Sequence, residues 1–321
     1  MSKNKDIAVV GMAFRFPGGI RNEEQFWSLV NSGTCAITKI PASRWPTDLY
    51  QDDNKNVPGR SVTFNAGVLD SIKEFEPAFF GISPKEAEWM DPQQRLLLKV
   101  THECLENANI KISDFKGSDC GVYAGVSSLD YFLRADEDLP AVSPYTMTGN
   151  TLSIDANRIS YVFDLHGPSV TMDTACSSTL VTLHHACQAI RSGEIPCAIV
   201  AGAHLLLRPY SFVGFSKASM LSPTGTCRPF DERANGYVRS EGAAALLLKP
   251  LEDAIRDHNR IHAVIKASGV NTDGSRKSGL TIPSETAQAQ LMKQVLERSG
   301  ISVGDIDYIE AHENALHYKK I

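Results

Sequence analysis

Apolar residues in this chain fall into short unbroken runs, separated by stretches whose apolar positions recur at helical spacing. Ile7–Gly11 reads as a buried strand. Glu23–Asn31 reads as a helix with Phe26, Trp27 and Val30 on its apolar face. A strong helix start follows at Asp91-Pro92: Asp suits the cap, Pro the first helical position, and Leu96, Leu97, Val100, Cys104 and Leu105 share one face. Gly121–Val126 is the next strand and Ser169–Met172 a shorter one. A helical pattern then sets Leu180, Leu183, Ala186, Cys187 and Ile190 on one face and closes at Gly193. The apolar runs Cys197–Ala203 and Ala243–Lys249 suit strands covered on both faces, as in a mostly parallel α/β sheet. A second cycle reads as strand over His262–Val270, helix over Ser284–Ser299 and strand over Asp305–Ala311. Its order echoes residues 5–126 and hints at a duplicated architecture. Residues 41–70 and 204–242 break the pattern with Pro, Gly and polar residues and read as connections.

Composition narrows the class. The chain has 321 residues, 42% of them hydrophobic, enough for one large domain or two smaller ones with a buried core. Its net charge of -5 and the lack of a long basic run argue against nucleic acid as a partner. Neither a signal peptide nor a membrane-spanning run is present, so a cytoplasmic location is expected. Seven cysteines are scattered, odd in number and never spaced as CxxC, which argues against a disulfide framework or a zinc site. Six of them read as small buried apolar residues: Cys104 and Cys187 lie on helix faces, Cys120 and Cys197 begin strands, and Cys35 and Cys227 complete the set.

Cys176 differs by position. Asp173-Thr174-Ala175-Cys176-Ser177-Ser178 joins the strand over Ser169–Met172 to the helix that follows. Unpaired backbone N–H groups and the positive end of the helix dipole converge at such a junction. That environment favours thiolate, the nucleophilic form, and its N–H groups can hold a developing oxyanion. Ser177 and Ser178 read as partners for helix N-terminal N–H groups rather than as nucleophiles. Asp231, Arg239 and Glu241, in a motif-rich connection, read as structural ion-paired or hydrogen-bonded residues. His184 and His185 are adjacent on one helix and cannot both face Cys176, and His102, His166, His204, His258 and His262 have no motif context.

The segment around Cys176 resembles the nucleophile motif of β-ketoacyl synthases, in particular the ketosynthase domains of polyketide and type I fatty-acid synthases. The resemblance extends from residue 5 to residue 312. Val9-Val10-Gly11-Met12-Ala13-Phe14-Arg15-Phe16-Pro17-Gly18 resembles the opening of such domains, and Met90-Asp91-Pro92-Gln93-Gln94-Arg95 a later motif. Phe215-Ser216-Lys217-Ala218-Ser219-Met220-Leu221-Ser222-Pro223, Cys227-Arg228-Pro229-Phe230-Asp231 and Gly236-Tyr237-Val238-Arg239-Ser240-Glu241-Gly242 follow in the family's order.

The resemblance implies an α/β, thiolase-like fold: two similar halves in a layered α/β/α/β/α sandwich. It divides the chain into an N-terminal half over 1–249, the start of a C-terminal half over 250–312, and a tail over 313–321 outside the family pattern. It implies that Cys176 takes an acyl group from a phosphopantetheine thioester on an acyl carrier protein, with no cofactor or metal bound by the domain itself. A malonyl-type extender then loses carbon dioxide and attacks the acyl-cysteine. His312, in Ile309-Glu310-Ala311-His312, matches the first catalytic histidine, and the backbone N–H of Cys176 matches one oxyanion donor.

Beyond His312 the family's pattern stops. Its Gly-Thr-Gly-Thr segment is replaced by Glu313-Asn314-Ala315-Leu316, and its lysine, second histidine and Gly-Phe-Gly-Gly segment do not occur. The expectation is a C-terminally truncated ketosynthase that loads an acyl group and does not condense. The alternative is a non-catalytic module that binds a carrier protein or dimerises, as a homodimer or with a full-length synthase, through residues 165–175. With only two strands of a second sheet, poor solubility outside such a complex is expected.

Overall fold

The computed structural model describes residues 6–135, 139–276, 279 and 282–312. Nine strands occur among them: β1 (Ile7–Arg15), β2 (Ile37–Lys39), β3 (Asn65–Gly67), β4 (Gly121–Gly125), β5 (Ser169–Met172), β6 (Ala198–His204), β7 (Arg239–Ser240), β8 (Gly242–Pro250) and β9 (Ala263–Ile265). Six form one sheet in the order β5-β4-β6-β8-β1-β9, and β2-β3-β7 form a small second sheet.

Alternation along each strand explains why the apolar runs are unbroken. Ala8, Val10, Val122, Ala124, Ile199, Ala201 and Leu247 bury on one face of the large sheet. Ile7, Val9, Tyr123, Ala198, Val200 and Leu248 bury on the other. The helix Pro92–Asn107 packs on the first face against β1, β6 and β8, and the helix Ser178–Ser192 packs on the second against β4, β5 and β6. Both faces are covered, and the α/β class follows. Asp91 caps Pro92–Asn107 as expected, its Oδ1 accepting from Gln93 N at 2.8 Å. Gly193, in the left-handed region at φ 80°, ends Ser178–Ser192.

Several sequence expectations change. The sheet is mixed: β4 pairs parallel with β5 and β6, whereas β8 is antiparallel to both β6 and β1, and β9 antiparallel to β1. A strand covered on both faces reads as apolar whichever way it runs, so the pattern held no direction. The strand expected over His262–Val270 shrinks to β9, and Asp305–Ala311 is not a strand; it is irregular and exposed. A strand needs a paired neighbour to persist, and none lies beside it among the described residues. Instead of starting a second sheet, β9 extends the edge of the first.

Phe26, Trp27 and Val30 form the expected face of the helix Glu23–Ser32, yet all three are exposed and that helix buries no residue. Leu180 is likewise 70% exposed, while Ala186, Cys187 and Ile190 of the same predicted face are buried. Cys104, Cys120, Cys187 and Cys197 are buried, but Cys35 and Cys227 are exposed in irregular segments, so the packing assignment does not hold for those two.

Candidate active site

Parallel strands β5, β4 and β6 end at the same edge of the sheet, where open α/β sheets place their ligands. β5 runs out at Met172, and six residues later, at Ser178, the chain has become an α-helix. The reversal is made at Ala175, whose φ of 55° lies in the left-handed region that a Cβ disfavours. A single 3-10 turn, Ala175–Ser177, carries Cys176 and leads directly into Ser178–Ser192.

Side chains hold this elbow from below. Asp173 Oδ1 accepts from Ala175 N at 2.9 Å. Ser178 Oγ accepts from Thr174 N at 2.9 Å and donates to Ala175 O at 2.6 Å. Ser177 Oγ donates to Thr174 O at 2.9 Å. The two serines therefore brace the turn that presents Cys176; they do not cap the helix as the sequence suggested. Gly125, at the end of β4, lets the helix start press against the sheet: a Cβ there would stand 2.6 Å from Thr179 N.

Cys176 is exposed and lines a pocket of about 490 Å³. Its floor is small and apolar, with Gly125, Gly202, Ala203, Ala243 and Ala244, and its walls include Phe215, Tyr237, His204, Arg239 and Glu241. A free, accessible thiol at a helix N-terminus over a cavity can attack a thioester and retain the acyl group. The packing cysteines are closed off from solvent, and burial pushes the Cys104 thiol up to about 12.

Glu241 is structural, as expected. Its side chain is fully buried and each oxygen accepts twice: Oε1 from Arg44 Nη1 and Leu206 N, Oε2 from Arg44 Nη2 and Leu69 N. Burial raises its carboxyl above the usual range, and Arg44 with the two N–H groups pulls it back. Asp231 is clamped by the N–H and guanidinium of Arg233, which hold its carboxyl below the usual range.

Arg239 and His204 are the residues that the sequence reading undervalued. Arg239 lies over the rings of Phe212 and Phe215, 5.4 and 4.9 Å from their centroids. Its Nη2 donates to His204 Nε2 at 3.0 Å, and its Nη1 is buried without a partner among the described residues. Burial first, and the Arg239 charge second, push His204 down to about 4. The available signal was position: His204 closes the apolar run Cys197–Ala203, at the carboxyl end of a parallel strand.

His312 lies exposed at the end of the described chain and is not among the residues lining the Cys176 pocket. His184 bonds Ser268 Oγ and His262 bonds Asn107 Oδ1, each at 2.9 Å, and neither lines the pocket. Among the described residues no His, Cys, Asp and Glu cluster is suited to a metal, and no helix is long and apolar enough to cross a membrane.

Residues 4–254 match the family described as "Beta-ketoacyl synthase, N-terminal domain" and residues 262–318 match "Beta-ketoacyl synthase, C-terminal domain". The chain belongs to the β-ketoacyl synthase family. It is 46% identical over 315 residues to a phenolphthiocerol/phthiocerol polyketide synthase of Mycobacterium tuberculosis, covering 97% of this chain and 14% of that protein. It is 44% identical over 310 residues to a partially reducing polyketide synthase of Talaromyces stipitatus, covering 96% and 12%. Among solved structures, an oxazolomycin ketosynthase domain of Streptomyces albus superposes with a TM-score of 0.92 at 35% identity, over 97% of this chain and 55% of that one. The ketosynthase from module 6 of the bacillaene synthase of Bacillus subtilis gives 0.87 at 40% identity, over 97% and 51%. The ketosynthase is thus of the polyketide synthase type, with a thiolase-like α/β fold. It spans roughly an eighth of those synthases and about half of the solved domains.

Proposed function

We propose that this ketosynthase accepts an acyl group on Cys176 from a phosphopantetheine thioester presented by an acyl carrier protein. In a full domain, decarboxylative condensation with a malonyl-type extender follows, which makes the activity that of an acyltransferase. The observation that carries this reading is the braced elbow, which sets an exposed thiol at a helix N-terminus over a pocket of about 490 Å³ with an apolar floor. Attack of the thiolate on the thioester carbonyl forms the new carbon–sulfur bond. Collapse of the tetrahedral oxyanion expels the phosphopantetheine thiolate, which takes up a proton. The role of His312 in the second stage rests on its motif alone, since the geometry does not bring it to the pocket.

Intact-mass spectrometry after exposure to an acyl thioester tests the assignment. Wild type gains one acyl group and Cys176→Ala gains none; equal labelling of both overturns it. The 321 residues contain no second histidine motif, so the same polypeptide incubated with malonyl- and acyl-carrier protein is expected to yield no 3-ketoacyl product. Detection of that product defeats this part of the proposal.

A second reading has one observation behind it. β5 forms an outer edge of the large sheet, so one side of Ser169–Met172 offers unpaired backbone groups. A homodimer through residues 165–175 satisfies them, and such a module can act without chemistry by holding a carrier protein or a second synthase. Light scattering after size exclusion tests it: a monomer at micromolar concentration counts against the dimer.

A further inference from the structure

We propose that His204 Nδ1–H is a hydrogen-bond donor that selects acyl chains carrying an acceptor oxygen, a hydroxyl or carbonyl along the chain, and that Arg239 is the positioning residue that holds it so. The inference rests on the reading of Cys176 as the acylated nucleophile.

His204 and Cys176 line the same pocket, so a chain attached to the thiol shares its cavity with this imidazole. The tautomer follows from chemistry. Arginine has donors only, so the 3.0 Å contact from Arg239 Nη2 requires His204 Nε2 to accept. A neutral ring that accepts at Nε2 carries its proton on Nδ1. Burial and the adjacent guanidinium keep the ring neutral. No residue among those described takes a hydrogen bond from Nδ1.

The surroundings leave that donor for an occupant. Gly125, Gly202, Ala203, Ala243 and Ala244 bring no polar side chain to the pocket. The Ser178 and Ser240 hydroxyls are committed to backbone carbonyls, and the Glu241 carboxylate is filled by Arg44 and two backbone N–H groups. Ser127, Thr179 and Tyr237 also bring hydroxyls to the pocket lining, and among the described residues none of them bonds His204. Arg239 is itself fixed between His204 and the faces of Phe212 and Phe215, so the imidazole has a rigid backing. A pocket with a donor of this kind discriminates against a ligand that leaves it unpaired far more strongly than against one that differs by a methylene.

Rates of acylation by the N-acetylcysteamine thioesters of hexanoate, 3-hydroxyhexanoate and 5-hydroxyhexanoate, read by intact mass, test the proposal. Wild type is expected to prefer at least one hydroxylated chain over hexanoate by roughly tenfold or more. His204→Phe is expected to bring that ratio close to one. His204→Asn, which keeps a side-chain N–H donor, is expected to retain part of the preference, and Arg239→Met to weaken it. Equal loading of the three chains by wild type, or an unchanged ratio in His204→Phe, overturns the proposal. Loading of hexanoate with a ratio of one spares the Cys176 assignment; no loading, or equal loading of Cys176→Ala, defeats that assignment instead. Calorimetric binding of the three thioesters to Cys176→Ala supplies a readout apart from acylation. A hydroxylated chain that binds no more tightly than hexanoate there overturns selection by His204.

Discussion

Arg239 and Glu241 stand two residues apart, both line the Cys176 pocket, and they solve opposite problems. Glu241 meets Arg44 in a bidentate pair and takes two further backbone N–H groups, so its lone pairs are filled and three chain segments, at Arg44, Leu69 and Leu206, are tied to it. Among the described residues Arg239 bonds a neutral imidazole through one nitrogen and buries another with no partner. The first cluster is closed and holds the pocket wall in place. The second is incomplete, and it is the incomplete one that can respond to what enters. A buried polar network is worth most to the fold when every member is satisfied, and an unsatisfied member is where a ligand gains most.

Three substitutions break or sharpen this contrast. Glu241→Ala has the largest expected effect. It strands the Arg44 guanidinium, 10% exposed, without a counter-charge and frees two backbone N–H groups. The expected loss is about 3–5 kcal/mol in denaturant unfolding. A loss below about 1 kcal/mol would remove Glu241 from the list of structural residues.

Asp91 extends the comparison to a buried carboxylate with no cation bonded to it. Burial pushes it up to about 6 from 3.8, against the hydrogen bonds from Gln93. The folded state then binds this proton more tightly than the unfolded chain, so the group costs stability as pH rises from about 4 through about 6, and the full cost is present above that. Asp91→Asn keeps the cap acceptor, gives up the bond from Gln93 Nε2 and removes the ionisation, so it is expected to stabilise at pH 7 by at most about 3 kcal/mol and much less at pH 4. Equal shifts in the urea midpoint at both pH values contradict the assignment.

Arg239→Met has the smallest expected effect on stability. It deletes a charge that is already under-satisfied and fills the space beside Phe212 and Phe215, so stability is expected to stay within about 1 kcal/mol. A loss comparable to that of Glu241→Ala would place Arg239 with the closed cluster and end the contrast.

Much of the scaffold was legible along the chain. The capped helix at Asp91-Pro92, the strands β1, β4, β5, β6 and β8, and the end of the helix after Cys176 at Gly193 all follow from local rules, because caps, turns and two-faced burial act over a few residues. What depends on distant partners was not. The mixed direction of the sheet, the loss of the strand at Asp305–Ala311 and the exposure of Phe26, Trp27 and Leu180 are decided by neighbours far away in sequence. The same holds in the site. Cys176 announced itself through its position between strand and helix, whereas His204 had no motif to mark it and Arg239 read as a structural ion-paired or hydrogen-bonded residue.

The amino-acid sequence by itself determined the family, the α/β class and the residue that carries the thiol, since each is written in contiguous motifs. Tertiary structure alone decided what surrounds that thiol. It brought the ends of β4, β5 and β6 to one edge, bent the chain through a left-handed Ala175, and set His204 against Arg239 above an apolar floor. The physical reason is range: caps and periodicity act within a few residues, while burial, tautomer and an unpaired donor exist only once segments from across the chain have closed around one cavity.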